Sequence, residues 1–223
     1  MTTSPPLERG PLTFYHAPNS RSAGTRTLLE ELGAAYELHP LDLKAGDQRR
    51  PDYLAINPLG KVPAIVHQGE LITEQGAIYA YLADLFPEAG LAPPIGDRLR
   101  GPYLRWLFYY GSCFEPAVVD RAMKREPTPP STCPYGDYDS MLATLVAQLR
   151  PGPYLLGDRF TAADVLWGGA LGWMLDFKLV PDLPELVAYS SRVRARPAAI
   201  AAAAKDAELA ARHDAARGVG STS

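Results

Sequence analysis

The sequence predicts an α/β half followed by an all-α half, and two observations carry that reading. Up to about residue 94, short apolar runs alternate with helical periods; beyond it, every periodic segment is helical. The textures meet at residues 87–96, which are rich in Pro, Gly and Ala, lack periodicity and read as a linker. Strands alternating with helices imply a mixed sheet with helices on its faces.

Taken in order, residues 12–15 (Leu12, Thr13, Phe14, Tyr15) read as a strand. Residues 22–32 follow as a helix with Leu28, Leu29 and Leu32 on one face, Ser22 as N-cap and Gly33 as stop. Residues 36–41 alternate apolar and polar as a second strand, and 53–56 form a short helix. Runs 64–67 and 70–72, joined by Gln68-Gly69, carry a hairpin signature. Residues 75–86 are a helix ended by Pro87. Helices are then expected over 98 to about 123, 138–149, 162–177 and 183–194, with a weaker alanine-rich stretch to about 211. The Pro-rich segment 126–136 is a loop, and small polar residues 218–223 suggest a disordered end. The expected organisation is a domain at 11–87, a linker at 88–97, a helical domain at 98–211 and a disordered tail at 212–223.

One helix start is strongly marked. Thr161 sits as N-cap with Asp164 three residues on, a capping box with Asp in place of Glu, and Phe160 is placed for a hydrophobic staple against Val165. Losing such a cap costs about 1 kcal/mol. Its role is structural.

Bulk properties exclude several function classes. A chain of 223 residues holds one large domain or two small ones. A formal charge of −3 argues against nucleic acid or an anionic membrane as partner, since both need a strong basic field. No apolar run is long enough to cross a bilayer, and residues 1–10 lack the order of a signal peptide. Cys113 and Cys133 form no CxxC pair and suggest neither a metal cage nor a disulfide framework. A reducing cytoplasm is the expected location.

The chemistry concentrates between Asn57 and Tyr81. Pro63 stands directly before an apolar β run, where it removes a ladder donor and restricts Val62. A cis Val62–Pro63 bond resolves that conflict and leaves the Val62 main chain free at a strand edge, able to pair with an extended peptide. Thr73-Glu74-Gln75 falls where a strand ends and a helix begins, so free N–H groups there favour an anion. Together these describe a clamp for a short peptide carrying a carboxylate; an ordinary turn, strand and cap is the plainer alternative.

Four segments, in order, give a family resemblance: Leu12-Thr13-Phe14-Tyr15 leading into a helix, 57–63 (Asn-Pro-Leu-Gly-Lys-Val-Pro), Glu74-Gln75-Gly76-Ala77-Ile78 to Tyr81-Leu82, and the cap at 160–164. With a helical second half, the chain resembles the cytosolic glutathione transferases over roughly residues 11–205. The resemblance implies a thioredoxin-like N-terminal domain followed by an all-helical C-terminal domain, a homodimer, and glutathione as co-substrate. It implies that Val62 pairs with the cysteinyl unit, Pro63 holds the bend, and Glu74 with the helix start holds the γ-glutamyl end. The residue after the glutamate is usually Ser in this family and is Gln75 here; its amide can still donate to a carboxylate. Lys61 and Gln48 become contacts for the glycyl carboxylate and tripeptide backbone.

The chemistry needs a thiolate, because the thiol is a poor nucleophile at neutral pH. Lowering its pKa by two units takes about 2.7 kcal/mol of preference for the anion, which one or two hydrogen bonds to a charged acceptor can supply. In the resemblance, Asn19 aligns with the catalytic Ser of the theta-like and zeta-like classes, Ser20 is the nearest hydroxyl, and Tyr15 aligns with the catalytic Tyr of the alpha-like classes. The Asn19/Ser20 pair is favoured over Tyr15. Arg21 fills the place of the beta-like cysteine, which excludes a cysteine mechanism through that position.

The electrophile is expected between the domains against Trp106, Tyr109, Tyr110 and Cys113, which recur at near-helical spacing; burial of that stripe in the helical core is the alternative. The leading function is conjugation of the glutathione thiolate to small hydrophobic electrophiles, a detoxification role. Glutathione-dependent peroxide or disulfide reduction, isomerisation, or a non-catalytic interaction protein remain open alternatives.

Overall fold

The computed structural model describes residues 9–220. Strand β1 (Leu12–His16) turns Leu12, Phe14 and His16 to the buried face and Thr13 and Tyr15 to the other, the two-residue period of a strand. β2 (Glu37–Pro40) runs parallel to it, with Tyr15 opposite His39. β3 (Ala64–His67) is antiparallel, with Tyr15 opposite Ala64, and β4 (Glu70–Ile72) closes the hairpin. The sheet order is β2-β1-β3-β4. Gln68 and Gly69 both take positive φ, 53° and 85°, as a two-residue hairpin turn requires. β1 runs one residue further than expected and β2 is shorter at both ends.

Helices α1 (Ser22–Leu32) and α3 (Gln75–Leu85) cover one face, burying Leu28, Leu29, Ile78 and Leu82 against Leu12 and Phe14. The other face carries α2 (Pro51–Ile56), whose Tyr53 packs with Ala17, Leu41, Tyr15 and Val62.

In the second half, α4 (Arg100–Tyr109) passes through a π-helical turn, Tyr110–Phe114, into α5 (Glu115–Ala122). One continuous α-helix was expected here. Pro116 has no N–H to offer the preceding turn, and a wider turn with an extra residue accommodates the missing donor. Helices α6 (Tyr138–Leu149), α7 (Ala162–Asp176) and α8 (Pro184–Arg194) follow close to their expected bounds. Gly168 lets α8 approach α7, since a Cβ there would lie 2.3 Å from the Val193 Cβ. The core is continuous across both halves, from Leu29 and Ile78 to Trp167 and Leu171.

The last helix, α9, runs Pro197–Gly220. The expected tail at 212–223 is therefore helical as far as Gly220, and 221–223 lie outside the described residues. Alanine-rich sequence has high intrinsic helix propensity, and ion pairs to the first domain hold this helix along its length. Arg196, just before it, meets Glu31 at 2.6 Å; Asp206 meets Arg26 at 2.8 Å; Arg217 meets Asp42.

The capping box at Thr161 forms as expected. Asp164 is fully buried and accepts from Leu155 N–H (2.8 Å), Thr161 N–H (2.9 Å), the Thr161 hydroxyl (3.0 Å) and the Tyr189 hydroxyl (2.9 Å). The ring neighbours of Phe160 are Tyr154, at 5.2 Å, and the Arg196 guanidinium, at 3.6 Å.

Candidate functional site

The site gathers at the C-terminal end of β1, where the chain turns from His16 into α1. Asn19 is exposed with φ 56°, a left-handed conformation that Asn tolerates better than most residues. Ser20 follows, half-buried, with its hydroxyl 2.7 Å from the Ala17 carbonyl and 2.7 Å from Ser22 Oγ. Ser22 N–H donates to Ser20 Oγ at 3.2 Å.

Ser22 does not cap α1, as its sequence position suggested; Arg21 occupies the cap position. The Ser22 hydroxyl instead turns inward, 2.8 Å from His16 Nδ1, and accepts from Ala17 N–H at 3.1 Å. His16 Nε2 lies 3.0 Å from Asp206 Oδ1, the oxygen that also meets Arg26. Ser22, His16 and Asp206 thus stand in the order of a hydrolase triad. Ser22 and His16 are 0 % exposed, so no substrate reaches Ser22 as a nucleophile. Sequence reasoning missed this chain of contacts because Asp206 is separated from His16 by 190 residues and no spacing links them.

Tyr15 lies on the opposite sheet face, its ring 4.8 Å from His39 and 5.5 Å from Tyr53. Beside it, the Val62–Pro63 bond is cis, as expected. Two side chains fix the approach to Val62: the Tyr53 hydroxyl donates to the Lys61 carbonyl at 2.6 Å and Asn57 Nδ2 to the same oxygen at 2.9 Å. Burial, with Tyr15 nearby, pushes the Tyr53 hydroxyl up to about 12. Among the described residues, no main-chain hydrogen bond uses the Val62 N–H or C=O. Gly60, at φ 58°, lets the turn close on Gln48, whose carbonyl would lie 2.5 Å from a Cβ there.

Glu74 is exposed at the start of α3 with φ 64°. Gln75 does not aim its amide outward: Nε2 donates to the Arg21 carbonyl at 3.2 Å. The Gln48 amide donates to the Leu43 carbonyl at 3.3 Å, while its Oε1 is buried without a partner. Lys61 is exposed. Contacts of Val62 with the Ala17 cluster and of Gln75 with Arg21 bring the 17–22 loop, the cis-proline edge and the α3 start together.

The expected aromatic pocket is different. Trp106 and Tyr110 are 1 % and 3 % exposed and pack around Trp167. Tyr109, half-buried like Cys113, stacks on Trp167 and donates to the Met141 carbonyl. The stripe belongs to the core because α4 turns that face toward α7, where Trp167 Nε1 donates to the Trp106 carbonyl at 2.9 Å. A cleft of about 390 Å³ beside the start of α1 is lined instead by Arg21, Ser112, Glu115, Asp120, Arg125 and Tyr135, among others. Its charges are paired: Arg21 with Glu115, and Arg125 and Tyr135 with Asp120 at 2.7 and 2.8 Å.

Among the described residues, no group of His, Cys, Asp or Glu is arranged to hold a metal ion, and no helix is long and apolar enough to cross a membrane.

Comparison with known proteins identifies the family and the fold. Residues 10–84 match the family model for the glutathione S-transferase N-terminal domain and residues 135–202 the model for its C-terminal domain. The chain is 29 % identical to glutathione S-transferase GstA of Escherichia coli O157:H7, covering 83 % of this chain and 94 % of that one. It is 32 % identical to a glutathione transferase from Methylococcus capsulatus, with TM-score 0.74 and coverage of 88 % and 98 %. A sphingomonad glutathione S-transferase, solved in complex with glutathione, is 30 % identical with TM-score 0.71, covering 87 % and 98 %. The chain belongs to the glutathione S-transferase family.

Proposed function

We propose that this chain ionises the thiol of glutathione and transfers the sulfur to a small electrophile seated in the Arg21–Tyr135 cleft. Glutathione is the co-substrate, lying along the Val62 edge with its γ-glutamyl ammonium at the Glu74 carboxylate and its γ-glutamyl carboxylate at the α3 N-terminus, where unpaired N–H groups and the helix dipole favour an anion. Gln48 and Lys61 flank the glycyl end. The Ser20 hydroxyl donates to the sulfur. Asn19 serves the turn, its exposed side chain following a left-handed backbone, and Tyr15 packs between His39 and Tyr53.

The observation that carries this reading is the Gln75–Arg21 hydrogen bond. It holds the loop bearing Ser20 against the start of α3, so one extended tripeptide meets both. The ion-paired walls of the cleft favour electrophiles with polar substituents over purely apolar ones. We also propose a two-fold homodimer and a cytoplasmic location, supported by family membership and by the free Cys113 and Cys133; gel filtration checks the former.

The test mixes purified protein with glutathione and a chlorinated nitroaromatic and follows conjugate formation, alongside calorimetric titration with glutathione. Binding with turnover supports the reading. Neither heat nor conjugate would assign the chain to a non-catalytic interaction role.

A further inference from the structure

We infer that His16 is the proton acceptor for glutathione ionisation, reached through Ser20 and Ser22 and backed by Asp206 from the C-terminal helix. This rests on the glutathione reading given above and adds a base to it.

Proton positions follow from the contacts. Asp206 Oδ1 receives Arg26 and lies 3.0 Å from His16 Nε2, so a neutral His16 carries its proton on Nε2 and donates it to the carboxylate. Nδ1 is then a buried acceptor that needs a donor, and Ser22 Oγ stands 2.8 Å from it. With its single proton directed to His16, the Ser22 oxygen is an acceptor. It already takes Ala17 N–H, and Ser20 Oγ at 2.7 Å is placed to donate to it. Ser20 has an alternative acceptor in the Ala17 carbonyl, also at 2.7 Å, and Ser22 has the same carbonyl at 3.0 Å. Ser20 is half-buried, unlike the fully buried Ser22 and His16, and directly precedes Arg21, which lines the cleft.

The transfer balances atom by atom. Before it, the sulfhydryl donates to Ser20 Oγ, Ser20 to Ser22, and Ser22 to His16 Nδ1. The S–H bond breaks and its proton passes to Ser20; the Ser20 proton passes to Ser22, and the Ser22 proton to Nδ1. Every hydrogen bond then points the other way. The imidazolium donates to Ser22, Ser22 to Ser20, and Ser20 to the thiolate, which is the donor the sulfur anion needs. One thiolate and one imidazolium are formed, and nothing is oxidised. The Asp206 carboxylate stabilises the imidazolium without taking its proton. When conjugation consumes the thiolate, the proton leaves by the same route, because His16 has no exposed surface.

Among the described residues, Asp206 on α9 is ion-paired to this ring and Arg26 on α1 to the same carboxylate; Phe14 packs on the ring from β1 at 5.1 Å. Arg26 opposes the imidazolium, and Asp206 is shared between them. The balance therefore depends on the carboxylate, and α9 becomes part of the site's chemistry as well as its architecture.

The experiment titrates bound glutathione by the ultraviolet absorption of its thiolate against pH, in the parent, Ser22→Ala, His16→Gln and Asp206→Asn. Affinity for S-methylglutathione, which has no thiol proton, is measured in each by calorimetry. The expected result is S-methylglutathione affinity within about twofold of the parent, with the thiol pKa raised so that thiolate near neutral pH falls about tenfold or more. Parent-like thiol titration in the variants would overturn the relay and leave the glutathione reading standing. Loss of S-methylglutathione binding in all three would assign these residues to loop architecture alone and overturn it as well. A parent that neither binds S-methylglutathione nor ionises glutathione would remove both readings together.

Discussion

The Gln75 side-chain amide donates to the Arg21 main-chain carbonyl at 3.2 Å, joining the first turn of α3 to the first turn of α1. Sequence comparison by type suggests a direct ligand contact for Gln75, whereas this bond makes it a strut. Gln75→Ala is expected to weaken glutathione binding about three- to tenfold, the effect of one lost hydrogen bond of about 1 kcal/mol. Calorimetric titration checks this. An unchanged affinity would show that the loop is held without the strut.

In the proposed binding mode, Glu74 and Lys61 hold opposite ends of the tripeptide. Glu74 occupies the helix start at φ 64°, whereas Lys61 is exposed and its side chain pays a large entropic cost to order. Glu74→Ala is expected to reduce glutathione affinity more than Lys61→Ala does, by about tenfold against about twofold. Equal effects in parallel titrations would count against the γ-glutamyl role of Glu74.

Tyr53 governs the segment that presents Val62. Its hydroxyl, together with Asn57, holds the Lys61 carbonyl, and burial pushes it up to about 12. A pKa raised on folding contributes stability that is fully present below the unfolded value, near 10, and lost as pH rises through about 12. Urea titrations between pH 8 and 12 are expected to show stability declining above about pH 10, more steeply in the parent than in Tyr53→Phe. Parallel slopes would remove Tyr53 as the cause. The same variant is expected to bind glutathione several-fold more weakly at neutral pH.

Ser20, Asn19 and Tyr15 are the candidates for activating the sulfur. Ser20→Ala is expected to cut kcat/KM by about a hundredfold, the scale on which loss of a preorganised donor to a developing anion acts. Asn19→Ala acts mainly through the turn, with φ 56° less tolerable for Ala, and costs less. Tyr15→Phe leaves the pH–rate profile in place. A profile that shifts in Tyr15→Phe and not in Ser20→Ala would reverse this assignment.

Much of the fold was legible because local signals agreed with the tertiary outcome. Gln68-Gly69 specified its turn, Pro63 its bend, and Thr161 with Asp164 its helix start. The cis Val62–Pro63 bond and the helix start after Glu74 were legible too, both within one short segment. The unread parts depend on distant partners. Trp106 and Tyr110 show the same helical spacing whether they face a ligand or a core; Trp167, from another helix, decides it. His16 reads as one more strand residue until α9 brings Asp206 to it. The alanine-rich end of α9 has little apolar periodicity, and its ion pair from Arg217 to Asp42 spans 175 residues.

Asp164 is the largest concentration of buried polar dependence outside the site. Burial pushes its carboxyl above the usual range, although two main-chain N–H groups and two hydroxyls all donate to it. Asp164→Ala removes an acceptor shared by four donors and leaves Leu155 N–H, Thr161 N–H and Tyr189 O–H unsatisfied in the core, at about 1–3 kcal/mol for each orphan. Partial relaxation keeps the total below the sum, and a loss of about 3–5 kcal/mol is expected, which in a marginally stable protein is a large share of the whole. Asp164→Asn retains one acceptor oxygen and is expected to lose roughly half as much. Urea unfolding of the three proteins measures both differences. A loss below about 1 kcal/mol for Asp164→Ala, the value of an ordinary exposed cap, would mean that the loop at Leu155 rearranges to satisfy its own donors.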